Sequence, residues 1–512
     1  MQKKQTILVV ASLLVVVLSV TLAYFTAQII GKGKDVSVSS ADLKIIFTDS
    51  DGAISGSNIE PGWSDTKTFT VENNSKSEYK YNIVIKDLLN TFVTNGYLQY
   101  KITSTNGGYN MTEFKDVPKS SAPKDTILAY SVSIPVGVTQ SYTIEFKYAN
   151  DESVDQSEDM GKTLSGKLFI TEGTEEPTLL SQILKDNPTR STRSNNNNGT
   201  NDFATPLTTT TTGTLFTSTE SITGITDSPK EVYYFAGNTT KNWVKFANLY
   251  WRIIRTNHDG SIRLLYVGTS HDTTGGNIGT SAFNTNSNST KYVGYKYGED
   301  TSLDTIRNNT TDSTIKTYID TWYQNNLINY TKYLSTSAVY CNDRSEGTGQ
   351  TYNYTSSPSS KFNFAPYYRM DYDTDGAAAN PSYNCSDIRD AFSVDNTSAK
   401  LDYPVSLMTA DEIAYAGGVA FKKMNTPYAW FISNSAGTQV STSWWSLSPI
   451  GWNGSYAGVW YWYSGNAYLN GNNVGSTSAV RPALSLKSCI KYSTGNGTYN
   501  EPYEIKETTS GC

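Results

Sequence analysis

The sequence predicts a mostly-β protein in two parts, an N-terminal antiparallel β-sandwich and a C-terminal α+β domain. Three observations carry that expectation. The composition is polar, aromatic and poor in charge, with 37 Tyr and 10 Trp against 17% charged residues. Strands favour Tyr, Thr and Trp, and turns favour Asn and Gly. Period-two alternation then recurs along the N-terminal half, in Tyr79, Tyr81, Ile83 and Ile85, in Tyr142, Ile144, Phe146 and Tyr148, and in Leu164, Leu168 and Ile170. Finally, turn pairs punctuate these runs: Asp51-Gly52, Pro61-Gly62, Asn73-Asn74 and Asn106-Gly107-Gly108.

In chain order, residues 1–35 read as a signal peptide or N-terminal membrane segment with its lead-in. Lys3 and Lys4 precede an apolar run from Ile7 to Phe25, long enough to cross a bilayer with the basic flank inside. Thr21-Leu22-Ala23 offers small residues of the kind a signal peptidase reads, so cleavage and retention both stay open. Either way the expected location is extracellular or at the cell surface. Residues 36–173 are the sandwich. Residues 174–230, with Asn195 to Asn198 and a threonine run from Thr208 to Thr212, read as a linker too polar to build a core.

Residues 231–512 are the second domain. Tyr250 to Ile254 and Ile262 to Val267 flank a hairpin turn at Asn257-His258-Asp259-Gly260. A helix is expected over about 313–327, with Ile315, Ile319, Trp322 and Leu327 on one face and Asp312 or Ser313 as its cap. A second begins at Thr409, where Thr409 and Glu412 fit a capping box and Gly417-Gly418 ends the helix. The cysteines are Cys341, Cys385, Cys489 and Cys512, an even number with no CxxC pair. In an exported chain they imply disulfides. The local pairing, Cys341–Cys385 with Cys489–Cys512, closes the shortest loops.

A net charge of −6 without a basic cluster excludes a nucleic-acid footprint. No Ser-His-Asp order, P-loop, HExxH or dinucleotide glycine motif occurs, so the chain reads as a non-enzyme that requires no cofactor. The two histidines, His258 and His271, sit in polar contexts that suggest surface positions.

The segment Trp444 to Val480 holds five of the ten Trp and no charge. Trp452, Asn453, Tyr456, Trp460, Tyr461, Trp462, Tyr463, Asn466, Tyr468, Asn470, Asn472 and Asn473 crowd together as a candidate ligand-binding surface. Aromatic faces stack on ligands, and Asn amides both donate and accept hydrogen bonds. The competing reading puts one parity of 460–463 in the core of a strand, with Asn470-Gly471 as turn chemistry. Asp371, Asp373, Asp375 and Gly376 form the first half of a calcium loop. Position twelve is Ser382 rather than Glu, with Asp387 or Asp390 as substitutes from outside. A solvated acidic turn weighs more than calcium there.

The stretches TLAYFTAQIIGKGKDVSVSSADLKIIF and NIEPGWSDTKTFTVENNS carry a resemblance over roughly residues 20–172. Ala23-Tyr24-Phe25, Leu43 to Phe47, Pro61-Gly62 and then Phe69, Val71 and Asn73 resemble the camelysin/TasA family of exported matrix-fibre proteins. The resemblance implies a jelly-roll-like sandwich and self-assembly by β-strand donation. The metalloprotease activity described for some camelysins is not carried over, because the N-terminal half has no His. Farther along, WWSLSP, AGVWYWYSGNAYL, AVRPALSL and GNGTYNEPYEI resemble uncharacterised bacterial surface proteins with a C-type-lectin-like, formylglycine-enzyme-like domain. The aromatic and Asn mix also resembles the variable regions of diversity-generating retroelement targets. Together these readings lead to the expectation of a surface adhesion or recognition protein for an extracellular glycan or protein. A structural fibre subunit is the alternative and an extracellular hydrolase a distant third.

Overall fold

The computed structural model describes residues 36–40, 43–49, 53–56, 59–196, 200–272, 276–350, 363–370 and 379–512. The apolar segment at 7–25 and the Asp371 to Asp375 motif lie outside the described residues. The chain is mostly β, with 39% strand against 13% helix. It divides into two compact units, Met1–Glu176 and Pro177–Cys512.

The N-terminal unit holds ten strands: β1 (Val36–Ser40), β2 (Leu43–Asp49), β3 (Ala53–Gly56), β4 (Ser64–Asn73), β5 (Tyr79–Asn90), β6 (Leu98–Ser104), β7 (Lys115–Asp116), β8 (Ser120–Ile134), β9 (Thr139–Tyr148) and β10 (Leu164–Glu172). One sheet runs β1-β2-β4-β9-β6-β7 and the other β3-β10-β5-β8, with antiparallel pairing throughout. The alternating residues turn inward as expected. Phe69, Val71, Tyr142, Ile144 and Phe146 of the first sheet share a core with Tyr81, Ile83, Ile85, Leu168 and Ile170 of the second. Each fully buried side chain of this size contributes about 2 kcal/mol of transfer free energy. Phe69 stacks on Tyr142 at 4.6 Å. The Tyr81 hydroxyl meets the Tyr142 hydroxyl at 2.5 Å and donates to Gln140 Oε1 at 2.6 Å, so the tyrosines enter the core with their polar ends satisfied.

The C-terminal unit is built on a ten-stranded sheet. Its path runs Thr189–Thr192, Thr214–Glu220, Lys230–Tyr234, Leu249–Thr256, Trp243–Phe246, Tyr503–Ile505, Tyr492–Thr494. A branch leads from Leu249–Thr256 through Ile262–Gly268 and Pro482–Leu486 to Val405–Leu407. The hairpin around Gly260 forms as expected, with φ +76° at that glycine. A five-stranded sheet has the order Thr280–Ala282, Thr477–Ala479, Trp444–Trp452, Ala457–Tyr463, Tyr468–Asn473.

The helix Thr314–Asn326 is capped by Ser313, whose Oγ accepts from the Lys316 N–H at 3.2 Å. Ile315, Ile319 and Tyr323 are its buried apolar residues, with Lys316 buried beside them, whereas Trp322 is only half-buried. The helix Ala410–Ala416 carries the expected reciprocal capping box of Thr409 and Glu412 and ends at Gly417. Cys341–Cys385 and Cys489–Cys512 are bridged, with Cα separations of 5.8 and 5.6 Å. Two disulfides are consistent with an extracellular or secreted protein. No described helix is long and apolar enough to cross a membrane.

The stretch 174–230 departs from the expected linker. Pro177 opens the C-terminal unit. The segment carries the helix Leu179–Asp186 and two strands that pair in parallel, Thr189–Thr192 with Thr214–Glu220. Composition misleads here because the buried apolar residues are few and scattered: Leu179, Ile183, Phe203, Leu215, Phe216 and Ile222 enter cores from a background of Thr and Asn.

Candidate ligand-binding face

Strand alternation decides which members of the aromatic segment reach solvent. The strands Ala457–Tyr463 and Tyr468–Asn473 pair antiparallel, with Trp460 opposite Gly471, Tyr461 opposite Asn470, Trp462 opposite Leu469 and Tyr463 opposite Tyr468. One parity faces the core. Trp460 and Trp462 are both fully buried, which corrects their assignment to the binding surface. The Trp460 indole N–H donates to the Pro366 carbonyl at 3.0 Å, and Trp462 meets the Phe431 ring edge-on at 4.9 Å. A Cβ at Gly471, opposite Trp460, would stand 2.7 Å from Ile450 Cδ1, so that side chain would have to shift.

The other parity forms an open face. Tyr461, Tyr463, Tyr468, Asn470 and Asn472 are all half-buried on it. A ladder of rings crosses the strands, from Trp445 to Tyr461 at 6.0 Å, Tyr461 to Tyr463 at 6.0 Å and Tyr463 to Tyr468 at 5.7 Å. Burial, followed by the neighbouring Tyr463 and Tyr468, pushes the Tyr461 phenol up, so it stays a neutral donor and acceptor. Asn466 Nδ2 donates to the Tyr468 hydroxyl at 3.2 Å and extends the polar rim. The face thus offers flat apolar area edged by neutral donors and acceptors.

The remaining candidates serve local structure. Asn453 Oδ1 accepts the N–H groups of Ser455 and Tyr456 at 2.9 and 3.0 Å, shaping the hairpin turn. Asn473 Oδ1 accepts from Gly475 N–H at 2.8 Å. Trp452 and Tyr456 pack their rings against the core. The structure therefore gathers five of the twelve expected residues into one patch: Tyr461, Tyr463, Asn466, Tyr468 and Asn470. Asn472 lies farther along the same strand face.

The other acidic candidates are held in ion pairs. Asp387 and Asp390, the substitute calcium ligands, are held by arginines: Asp387 by Arg389 at 2.7 Å and Arg307 at 3.1 Å, Asp390 by Arg344 at 2.7 Å and Arg307 at 2.8 Å. Asp312, Asp320 and Asp402 converge on the buried Lys316 ammonium at 3.0, 2.6 and 2.6 Å, which occupies the place a cation would take.

Neither histidine is a plain surface residue. The imidazole of His258 lies 3.5 Å from Glu220, and that of His271 sits edge-on to Tyr250 at 5.4 Å and Tyr499 at 5.7 Å. A cleft that the sequence did not announce opens beside the helix Thr314–Asn326. Its one legible signal was the pair Tyr318 and Trp322, four residues apart and therefore on one helix face. Compared with known protein families, curated proteins and solved structures, the chain matches none.

Proposed function

We propose that the protein is an exported surface recognition protein that binds an extracellular glycan through the tyrosine face of its five-stranded sheet. The observation that carries this reading is the ladder of Tyr461, Tyr463 and Tyr468 edged by Asn470, left half-open on a strand pair whose opposite face is buried tryptophan. Stacking area with neutral hydrogen-bonding rims suits sugar rings better than charged ligands. In this reading the C-terminal unit is a C-type-lectin-like scaffold and the N-terminal unit a jelly roll of the matrix-fibre kind. The test is a glycan-array screen of the secreted chain beside a Tyr463→Ala/Tyr468→Ala variant. The expected result is one glycan class bound by the parent and weakened about 10–100-fold in the variant. Equal binding by both proteins removes the face from the proposal.

A second reading rests on β1. Among the described residues, Val36–Ser40 forms the edge strand of its sheet and pairs with β2 alone. An N-terminal edge strand is the element that exchanges between copies in strand-donated fibres. Electron microscopy of the concentrated protein tests this fibre-subunit reading. Filaments that disappear when residues 1–41 are deleted support it, and a monodisperse monomer at every concentration opposes it.

A further inference from the structure

A cleft of 680 Å³ opens in the C-terminal unit between the helix Thr314–Asn326, the segment 284–297 and the sheet edge at Ser281. That volume lies within the usual range for small-molecule sites, about 300–1,000 Å³. The helix supplies one wall through Thr314, Thr317, Tyr318, Thr321, Trp322 and Asn325, spaced three and one apart along a single face. Its opposite face, Ile315, Ile319 and Tyr323, anchors in the core, so the wall is rigid.

The aromatic groups are held in place from behind. The Tyr318 hydroxyl donates to the Ile278 carbonyl at 3.2 Å. Trp322 is braced edge-to-face by Tyr266 at 5.4 Å, and Tyr292 meets Tyr297 at 5.5 Å. All four lining rings are half-buried. At the rim, the amides of Asn286 and Asn325 have no hydrogen-bond partner among the described residues.

The cleft is electrically neutral in effect. Its one acidic lining residue, Asp312, is tied to Lys316 at 3.0 Å and Lys296 at 3.1 Å, and no arginine or lysine lines it. An anionic ligand would find no lining cation. A purely apolar ligand would strip water from the Asn and Thr groups without replacing their hydrogen bonds, at a cost. Rings to stack on, with amides and hydroxyls between them, match a chain of neutral polyols. We propose that this cleft binds a short neutral oligosaccharide. It shares no residue with the tyrosine face and does not depend on that reading.

The experiment follows the indole N–H signal of Trp322 in the full ¹⁵N-labelled chain, alongside calorimetry. The probes are tetrasaccharides of glucose, mannose and N-acetylglucosamine, with an oligogalacturonate as the anionic comparison. The expected result is saturable movement of the Trp322 signal by at least one neutral sugar. Thr321→Trp, which adds bulk to an exposed helix position inside the cleft, weakens that binding about tenfold or more. Tyr463→Ala/Tyr468→Ala leaves it intact. If Thr321→Trp does not fold, Asn286→Ala/Asn325→Ala takes its place with the same expectation, since both side chains are exposed. The proposal is overturned if no neutral sugar moves the Trp322 signal at millimolar concentration, if the cleft variant binds as the parent does, or if the anionic sugar binds equally well.

Discussion

The interiors of the two units are stabilised in different ways. Among the described residues the N-terminal unit buries one charged side chain, Asp159. It has no cationic partner there; it accepts the N–H groups of Val93 and Thr94 at 2.6 and 3.2 Å and the Tyr148 hydroxyl at 2.8 Å. The C-terminal unit buries a connected set of charges. Arg255 bridges Glu220 and Glu412, each at 2.8 Å, and Arg263 reaches the same Glu412 oxygen at 2.5 Å. Arg369 clamps Asp343 and Asp411 at 2.5 and 2.6 Å. Both disulfides lie in this unit as well. The larger unit thus fixes its loops by buried ion pairs and covalent links, whereas the smaller unit relies on continuous ladders and apolar faces.

Removing the hub of the charge network is expected to show the largest difference. Glu412 serves twice, capping the helix at Thr409 and neutralising two arginines. Glu412→Ala leaves Arg255 and Arg263 buried with a lost partner, which costs on the order of 3–5 kcal/mol. Calorimetry with two resolved transitions checks this. The transition of the C-terminal unit drops sharply and that of the N-terminal unit stays put. A shift of both together would mean that the two units do not melt independently.

The next effect comes from the cross-links. Cys341–Cys385 spans 44 residues, and the chain-entropy relation assigns such a loop about 4 kcal/mol. Cys341→Ser/Cys385→Ser is expected to lower the urea midpoint of the C-terminal unit, with no change in the N-terminal one. Protease resistance of the two units, read from fragment masses, follows the same order.

The parts that sequence could and could not reveal divide along the same line. Period-two runs such as Tyr142 to Tyr148 announce their faces because one side of each sheet is wet, so pattern and burial coincide. The capping box at Thr409 and the local disulfides were legible because their signals are short-range. The segment 174–230 was not, because its place in the unit is set by distant partners, Lys491 beside Thr178 and Cys385 beside Ile222, and not by its own polar composition. The aromatic segment was legible only in part. Its composition marked it out, but either parity of Trp460 to Tyr463 satisfies alternation, and only the packing of Phe431 and Pro366 against the tryptophans decides between them. The cleft beside Trp322 was hidden by the opposite error: a tryptophan at helical spacing reads as core, although it lines a cavity.

Acid provides the gentlest way to separate the units. Burial pushes the Glu220 carboxyl up, but Arg255, with the His258 side chain, more than offsets this and holds it at about 2, below its ordinary 4.5. Asp343 and Glu412 are shifted in the same direction, each with burial opposed by arginines. A carboxylate whose folded value lies below its unfolded one contributes stability above the unfolded value and loses it as pH falls through the folded one. For Glu220 that window runs from 4.5 down to about 2, and the contribution lost across it is on the order of 3 kcal/mol. Among the described residues, the one buried carboxylate of the N-terminal unit in this position is Asp159: burial pushes it up, and the N–H groups of Val93 and Thr94 with the Tyr148 hydroxyl pull it below its usual value. Thermal melts across this range are therefore expected to bring the C-terminal transition down first and farther. Glu220→Gln should flatten its pH dependence, because the substituted side chain no longer takes up a proton. Parallel decline of both transitions, or an unchanged slope in Glu220→Gln, would remove the buried glutamates as the cause and leave general charge repulsion in their place.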